Sequence, residues 1–141
     1  MTIISFWRNK NTIEKIVICV YIIAFFGATY NHIADIVKGG LFPYTNWWNV
    51  PMSMNIYWTV LTILDPIAII ILSINIYIGY WLYLLIMISD VCINIFAELV
   101  YWKQPIKQSS GLIMQIGFLL FLSLTGLKII KSSKKKNKYS I

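Results

Sequence analysis

Only five of the 141 residues are acidic, and four of these, Asp35, Asp65, Asp90 and Glu98, fall in stretches that are otherwise apolar. Asp90, Asn94 and Glu98 recur at i, i+4 and i+8, which places one above another on a single helical face. Asn55, Thr59, Thr62 and Asp65 form a second polar stripe at helical spacing. Pro66 follows it and removes a hydrogen bond to the Thr62 carbonyl, so a kink and a free acceptor are expected there. His32 and Asp35 share a face at i, i+3, with Asn31 one turn before Asp35. The last apolar stretch offers only Gln115, Ser123 and Thr125. No Lys or Arg lies among these groups. On insertion scales an Asp at mid-bilayer costs roughly 2.5–3.5 kcal/mol, so two or three ionised and unpaired would cost about 5–10 kcal/mol. These acids must therefore face an interior, share a proton, hold a cation or receive a cationic ligand.

Several chemistries fit such a set. Buried acids below aromatic rings suit a hydrophobic cation, through ion pairing and cation–π contact. The same acids could protonate and deprotonate a substrate carbon, and unpaired intramembrane acids also occur in proton and cation relays. A metal would find one imidazole and four carboxylates in His32, Asp35, Asp65, Asp90 and Glu98, a set suited to Mn, Fe or Zn. Their spacing makes no ligand motif, so neither metal nor cofactor is expected. Walker, G-x-S-x-G, HExxH and dinucleotide fingerprints are missing from the sequence. Each residue also has a structural alternative. Asp35 could pair with Lys38 and Glu98 with Lys103, His32 could be a packing donor, and Asn55, Thr59 and Thr62 could be interhelical glue. Asp65 and Asp90 resist that account best because both are at mid-depth; a proton shared between them is the structural version.

The elements that must position these residues follow from composition. Hydrophobic residues make up 59%, charged residues 12%, and mean hydropathy is +0.73, against about a quarter charged in an ordinary globular domain. The +7 net charge is terminal: Arg8, Lys10 and Lys15 at one end, six lysines from Lys128 to Lys138 at the other. A bilayer needs about 20 apolar residues per helix. Four stretches qualify, at about 16–37, 52–74, 77–101 and 110–130, followed by a basic tail at 131–141. The fold class expected is all-α: a polytopic membrane protein forming one four-helix transmembrane bundle. The first stretch is too long for a signal-peptide core and has no A-x-A site, so it is read as a retained span. Nine Lys and Arg on the side of the termini against three on the other (Lys38, Lys103, Lys107) place both ends in the cytoplasm, in a cell inner or plasma membrane. The Lys134-Lys135-Lys136 tail is then an anchor on anionic lipid rather than a nucleic-acid site. Tyr44, Trp47, Trp48, Tyr57, Trp58, Tyr101 and Trp102 read chiefly as an interface belt, with Trp47-Trp48 lying on the membrane or capping the bundle. Cys19 and Cys92 differ in depth, which argues for packing residues rather than a disulfide.

With that topology His32, Asp35, Asp65, Asp90, Asn94 and Glu98 all fall in the middle or outer half of the bilayer. The span count, Asp35 at the end of the first span, and the Trp58…Asp65-Pro66 stretch together resemble the EXPERA group of four-span membrane proteins, which includes sterol isomerases and the sigma-2 receptor. The resemblance is architectural. The Asp-Pro lies deeper in its helix than in that group, and Asp90/Asn94/Glu98 has no counterpart there. The expected function is binding of a small apolar, lipid-like or cationic molecule in an acidic cavity opening toward the outer half, lined by Asp65, Asp90, Asn94, Glu98, His32, Asp35, Thr62 and Trp58. Whether chemistry follows binding is left open. Two alternatives stand beside it: a proton- or cation-coupled transporter or channel, which at this size would act as a homo-oligomer, and an accessory or immunity-type protein that binds another membrane protein.

Overall fold

The computed structural model describes residues 7–8, 10–103 and 105–138, with side chains through Ser132. Its helices are α1 (Thr12–Gly39), α2 (Pro43–Trp48), α3 (Met52–Ile74), α4 (Ile76–Ala97, continuing as a π-helical stretch, Glu98–Trp102), a 3₁₀ turn (Ile106–Gln108) and α5 (Ser110–Lys138). Four are long and apolar enough to cross a membrane. At most 39% of any span's most apolar window is buried. Ile23, Phe26, Ile63, Leu85 and Leu124 point outward, each at least 64% exposed. A surface of that kind is stable against lipid rather than water, and the chain is a multi-pass membrane protein.

Local signals set the helix ends. Asn11 and Glu14 make a reciprocal capping box: the Glu14 N–H donates to Asn11 Oδ1 at 2.8 Å, and the Asn11 N–H donates to Glu14 Oε2 at 2.9 Å, which satisfies two amides at the start of α1. The other Glu14 oxygen accepts from the Ser132 hydroxyl, so this buried acid also ties α1 to α5. Gly40, at φ +75°, stops α1 in a conformation other residues avoid. Asn75 is the whole turn between α3 and α4. Its N–H donates to the Ile71 carbonyl, and its side chain accepts from the Tyr77 and Ile78 N–H groups at 3.1 and 3.2 Å.

Helix α1 packs mainly on α3, α3 on α4, and α4 on α5, while α1 and α5 touch little. The core runs through Ile18, Tyr21 and Phe25 of α1, Leu61, Ala68 and Leu72 of α3, Tyr80, Tyr83 and Met87 of α4, and Leu122 of α5. Close approach at the α3–α4 turn requires a residue without a side chain: a Cβ on Gly79 would run into the Leu72 backbone.

Two features of the long helices depart from expectation. Helix α5 runs on to Lys138, beyond the span expected to end at 130, because no Gly or Pro occurs from 130 to 138; the side chains of Lys134, Lys135 and Lys136 lie outside the described residues. The third span changes to π-helical bonding at Glu98, which alters the register beyond Asn94. Helix α3 keeps the expected bounds, Met52–Ile74, with Pro66 inside it. Cys19 and Cys92 are exposed and free rather than packed, because the neighbouring Ile18 and Val91 take the inward positions.

A Gly79→Ala substitution should lower the melting temperature in detergent, since over-packing typically costs about 1–3 kcal/mol. Gly27→Ala, whose Cβ would meet nothing within 4 Å, should leave it unchanged or raise it.

Candidate functional site

Asp90, 7% exposed, is the best-held acid. Asn94 Nδ2, one turn on, donates to its Oδ1 at 3.0 Å, and Gln115 Nε2 from α5 donates to its Oδ2 at 2.9 Å. Asn94 also donates to Gln115 Oε1 at 3.0 Å. The three polar side chains close a ring that joins α4 to α5. Asp65 is different. It is 2% exposed, and its Oδ1 has no hydrogen-bond partner among the described residues. The two carboxylates interact through space, but Asp90 shares its oxygens with amides and not with Asp65.

A second network lies toward the loop end. Tyr44 of α2 donates its hydroxyl to Asp35 Oδ2 at 3.0 Å and lies 2.9 Å from His32 Nδ1. A phenol has one proton, so with that proton on Asp35 the His32 Nδ1 must carry its own hydrogen and donate to Tyr44. Burial, then the charge of Asp35, push the Tyr44 phenol above its ordinary range, which keeps it a donor. Tyr44, rather than Lys38, is thus the partner of Asp35.

Helix α2 is fastened over the bundle by Asn55 of α3, which is 1% exposed. Its Oδ1 accepts from the Tyr44 and Thr45 N–H groups at 3.1 and 3.4 Å, and its Nδ2 donates to the Leu41 carbonyl at 3.0 Å. Pro43 at the first position of α2 needs no amide partner. One side chain therefore satisfies the backbone on both sides of that proline. The interhelical-glue reading of Asn55 becomes a helix-to-loop clasp.

Tyr44, Trp58 and Trp102, which suggested an interface belt, turn inward instead, and Trp48, 44% exposed, packs over them. Tyr44 and Trp58 are buried, with ring centroids 4.8 Å apart; Trp48 lies 5.7 Å from Tyr44 and 5.0 Å from Trp102, which is 6.3 Å from Trp58. The cause is α2, which folds Tyr44 and Trp48 back over the helix ends. Trp102 Nε1 is buried without a partner among the described residues.

Between these groups lies a cleft of about 550 Å³, within the usual size of small-molecule sites, about 300–1,000 Å³. His32, Asp35, Trp58, Asp65, Asp90 and Asn94 line it, together with Tyr44, Trp48, Trp102 and Gln115. Thr62 and Glu98 do not. The Thr62 hydroxyl and Glu98 Oε2 are buried without partners among the described residues, and the ladder breaks where π-helical bonding begins. Among the described residues no three His, Cys, Asp or Glu side chains are grouped to hold a metal. Toward the termini the cleft ends on Phe25 and Phe118. Phe25 stacks on Tyr83 at 3.6 Å, and Tyr21 packs against Tyr83, Phe118 and Phe121. Toward the side, it reaches Ile23, Gly27 and Asn31 of α1 and Gly111 and Met114 of α5, all exposed.

Tyr44 and Gln115 are the site residues that spacing undervalued. Gln115 had a signal: an amide in an apolar span seeks a partner on another helix. Tyr44 had none, because its place depends on how α2 folds back. Comparison with protein families, with curated proteins and with solved structures gives no match.

Replacing Asn55 with Ala would leave the Tyr44 and Thr45 amides without their acceptor, easing local opening by about 1–3 kcal/mol. Hydrogen exchange in peptides covering 41–49 should then speed up by roughly tenfold or more, while peptides around Tyr21 keep wild-type protection.

Proposed function

We propose that this multi-pass membrane protein binds a small apolar, lipid-like or cationic molecule in the cleft, with its termini in the cytoplasm and the cleft toward the outer half of the bilayer. The observation that carries this reading is Asp65: a fully buried carboxylate on the cleft wall, with one oxygen lacking any partner among the described residues. A carboxylate in apolar surroundings is costly unless paired. Asp90, with both oxygens accepting from amides, is by contrast the structurally satisfied acid of this bundle. A ligand that supplies a positive charge or a donor to Asp65, and apolar bulk against Phe25, Leu61, Met87 and Phe118, matches both walls.

Binding is favoured over transport by the layer of rings below the cleft. Phe25, Tyr83, Tyr21, Phe118 and Phe121 contact one another across α1, α4 and α5. A proton or cation path would have to pass through that layer. The EXPERA resemblance of Asp35 and Trp58…Asp65-Pro66 agrees with a ligand-binding bundle and adds no substrate.

The test is titration of a single-chain alkylammonium into protein in nanodiscs, followed by tryptophan fluorescence, since Trp48, Trp58 and Trp102 all border the cleft. Asp65→Asn should weaken binding at least about tenfold, the size expected when a desolvated charge partner is lost, while the melting temperature holds or rises. Equal affinity of the variant and the wild type would overturn the reading. Asp90→Asn should instead lower the melting temperature, because it disturbs the Asn94–Gln115 ring.

A further inference from the structure

Resting on the cleft as a binding site, the geometry points to a narrower ligand class: we infer that the site selects a quaternary, methylated ammonium carried on a single hydrocarbon chain. Its head would sit in the box formed by Tyr44, Trp48, Trp58 and Trp102.

The box is one continuous run of rings, Tyr44 beside Trp58 and Trp48, and Trp102 beside both tryptophans, with centroid separations of 4.8–6.3 Å. Neighbouring planes meet at angles from 18° to 66°, so the cluster offers both faces and edges. All four rings border the cleft. Ring faces attract cations electrostatically, and cages of this composition suit ammonium groups that have methyls instead of N–H donors. Asp65, buried and with Oδ1 unpartnered, is the independent sign that a charged ligand belongs here, because it offers a countercharge below the box.

The acceptors argue against a primary ammonium. Such a head has three N–H donors to satisfy. Both Asp90 oxygens already accept from Asn94 and Gln115, and Asp35 Oδ2 already accepts from Tyr44, so among these acids Asp65 Oδ1 is the oxygen that is buried without a partner among the described residues. Placed in the box, a primary ammonium would find that one oxygen for its three N–H donors and leave the others without a protein acceptor, a costly arrangement wherever the ligand displaces water. A trimethylammonium has none to leave, and it takes its stabilisation from ring faces and from the field of the acids.

The seam between α1 and α5 has room for a chain. Gly27 and Gly111 are exposed, and a Cβ on either would meet nothing within 4 Å. With Ile23, Ala24 and Met114 they make an apolar border to the cleft. An anionic or zwitterionic head fits poorly, since its phosphate or sulfate would face Asp35, Asp65 and Asp90.

The experiment compares dodecyltrimethylammonium, dodecylamine, dodecylphosphocholine and dodecyl sulfate at neutral pH, each titrated into the full chain in nanodiscs below its micelle concentration. The quaternary compound should bind about tenfold or more tighter than the primary amine, in line with a desolvated cation–π contact. The phosphocholine and sulfate should bind far more weakly. Trp48→Ala, on a half-exposed ring, should remove most of the preference for the quaternary head over dodecylamine. Equal or tighter binding of dodecylamine would overturn the quaternary assignment and leave the cation site standing. Binding of dodecyl sulfate as tight as that of the cations would overturn both, because partition into an apolar groove would then explain everything. A Trp48→Ala protein that keeps the full quaternary preference would also overturn the box.

Discussion

A carboxylate in the middle of an apolar helix has to find donors, and Asp90 finds them on two helices. Asn94 supplies one from its own helix and Gln115 one from α5, and the two amides bond to each other as well. That ring holds α5 against α4 at the level of the cleft. Helix α1 is meanwhile committed to α3, and both are joined to α2 through Tyr44 and Asn55. With α5 pulled to one side and α1 to the other, the space between them is what remains open. The cleft is thus a consequence of how the bundle satisfies its most demanding polar group, rather than a defect in packing.

The two ends of the bundle are finished differently. At the end of the termini, Glu14 joins Ser132 and Tyr21 joins Thr125, and stacked rings fill the interior. At the loop end, the filling is delegated to a six-residue helix. Its position depends on one buried amide, Asn55, and on the hydroxyl that Tyr44 shares between His32 and Asp35. Rings there border a space instead of closing it.

The helices were legible in the sequence because hydropathy and length determine them: four apolar runs, a basic start, and a turn at Asn75. Within α4 the spacing of Asp90 and Asn94 also held, since both lie in regular α-helix. Glu98 did not follow, because its place depends on a change to i→i+5 bonding that no local residue announces. Thr62 belongs to the same stripe as Asp65 yet faces away from the cleft. The inward rings were the largest surprise. A Trp near a helix end looks the same whether it meets lipid headgroups or folds over a neighbour, and only the path of residues 41–51 decides. Asn55 shows the same limit: its type implied a hydrogen bond, while its partners lie 10 to 14 residues back along the chain.

Because α1 and α5 are fastened at one end and separate toward the other, they act as a pair of levers with the fulcrum near Tyr21 and Thr125. From Tyr21 to Asp35 the axis extends about 21 Å at 1.5 Å per residue. A relative tilt of about 5° would move the far end by about 2 Å over that length, about half the width of a methyl group. Membrane thickness acts on helix tilt at modest energetic cost. The gap beside Gly27 and Gly111 is therefore a dimension that the surrounding bilayer helps to set, and the same chain would present a wider or narrower seam in membranes of different thickness.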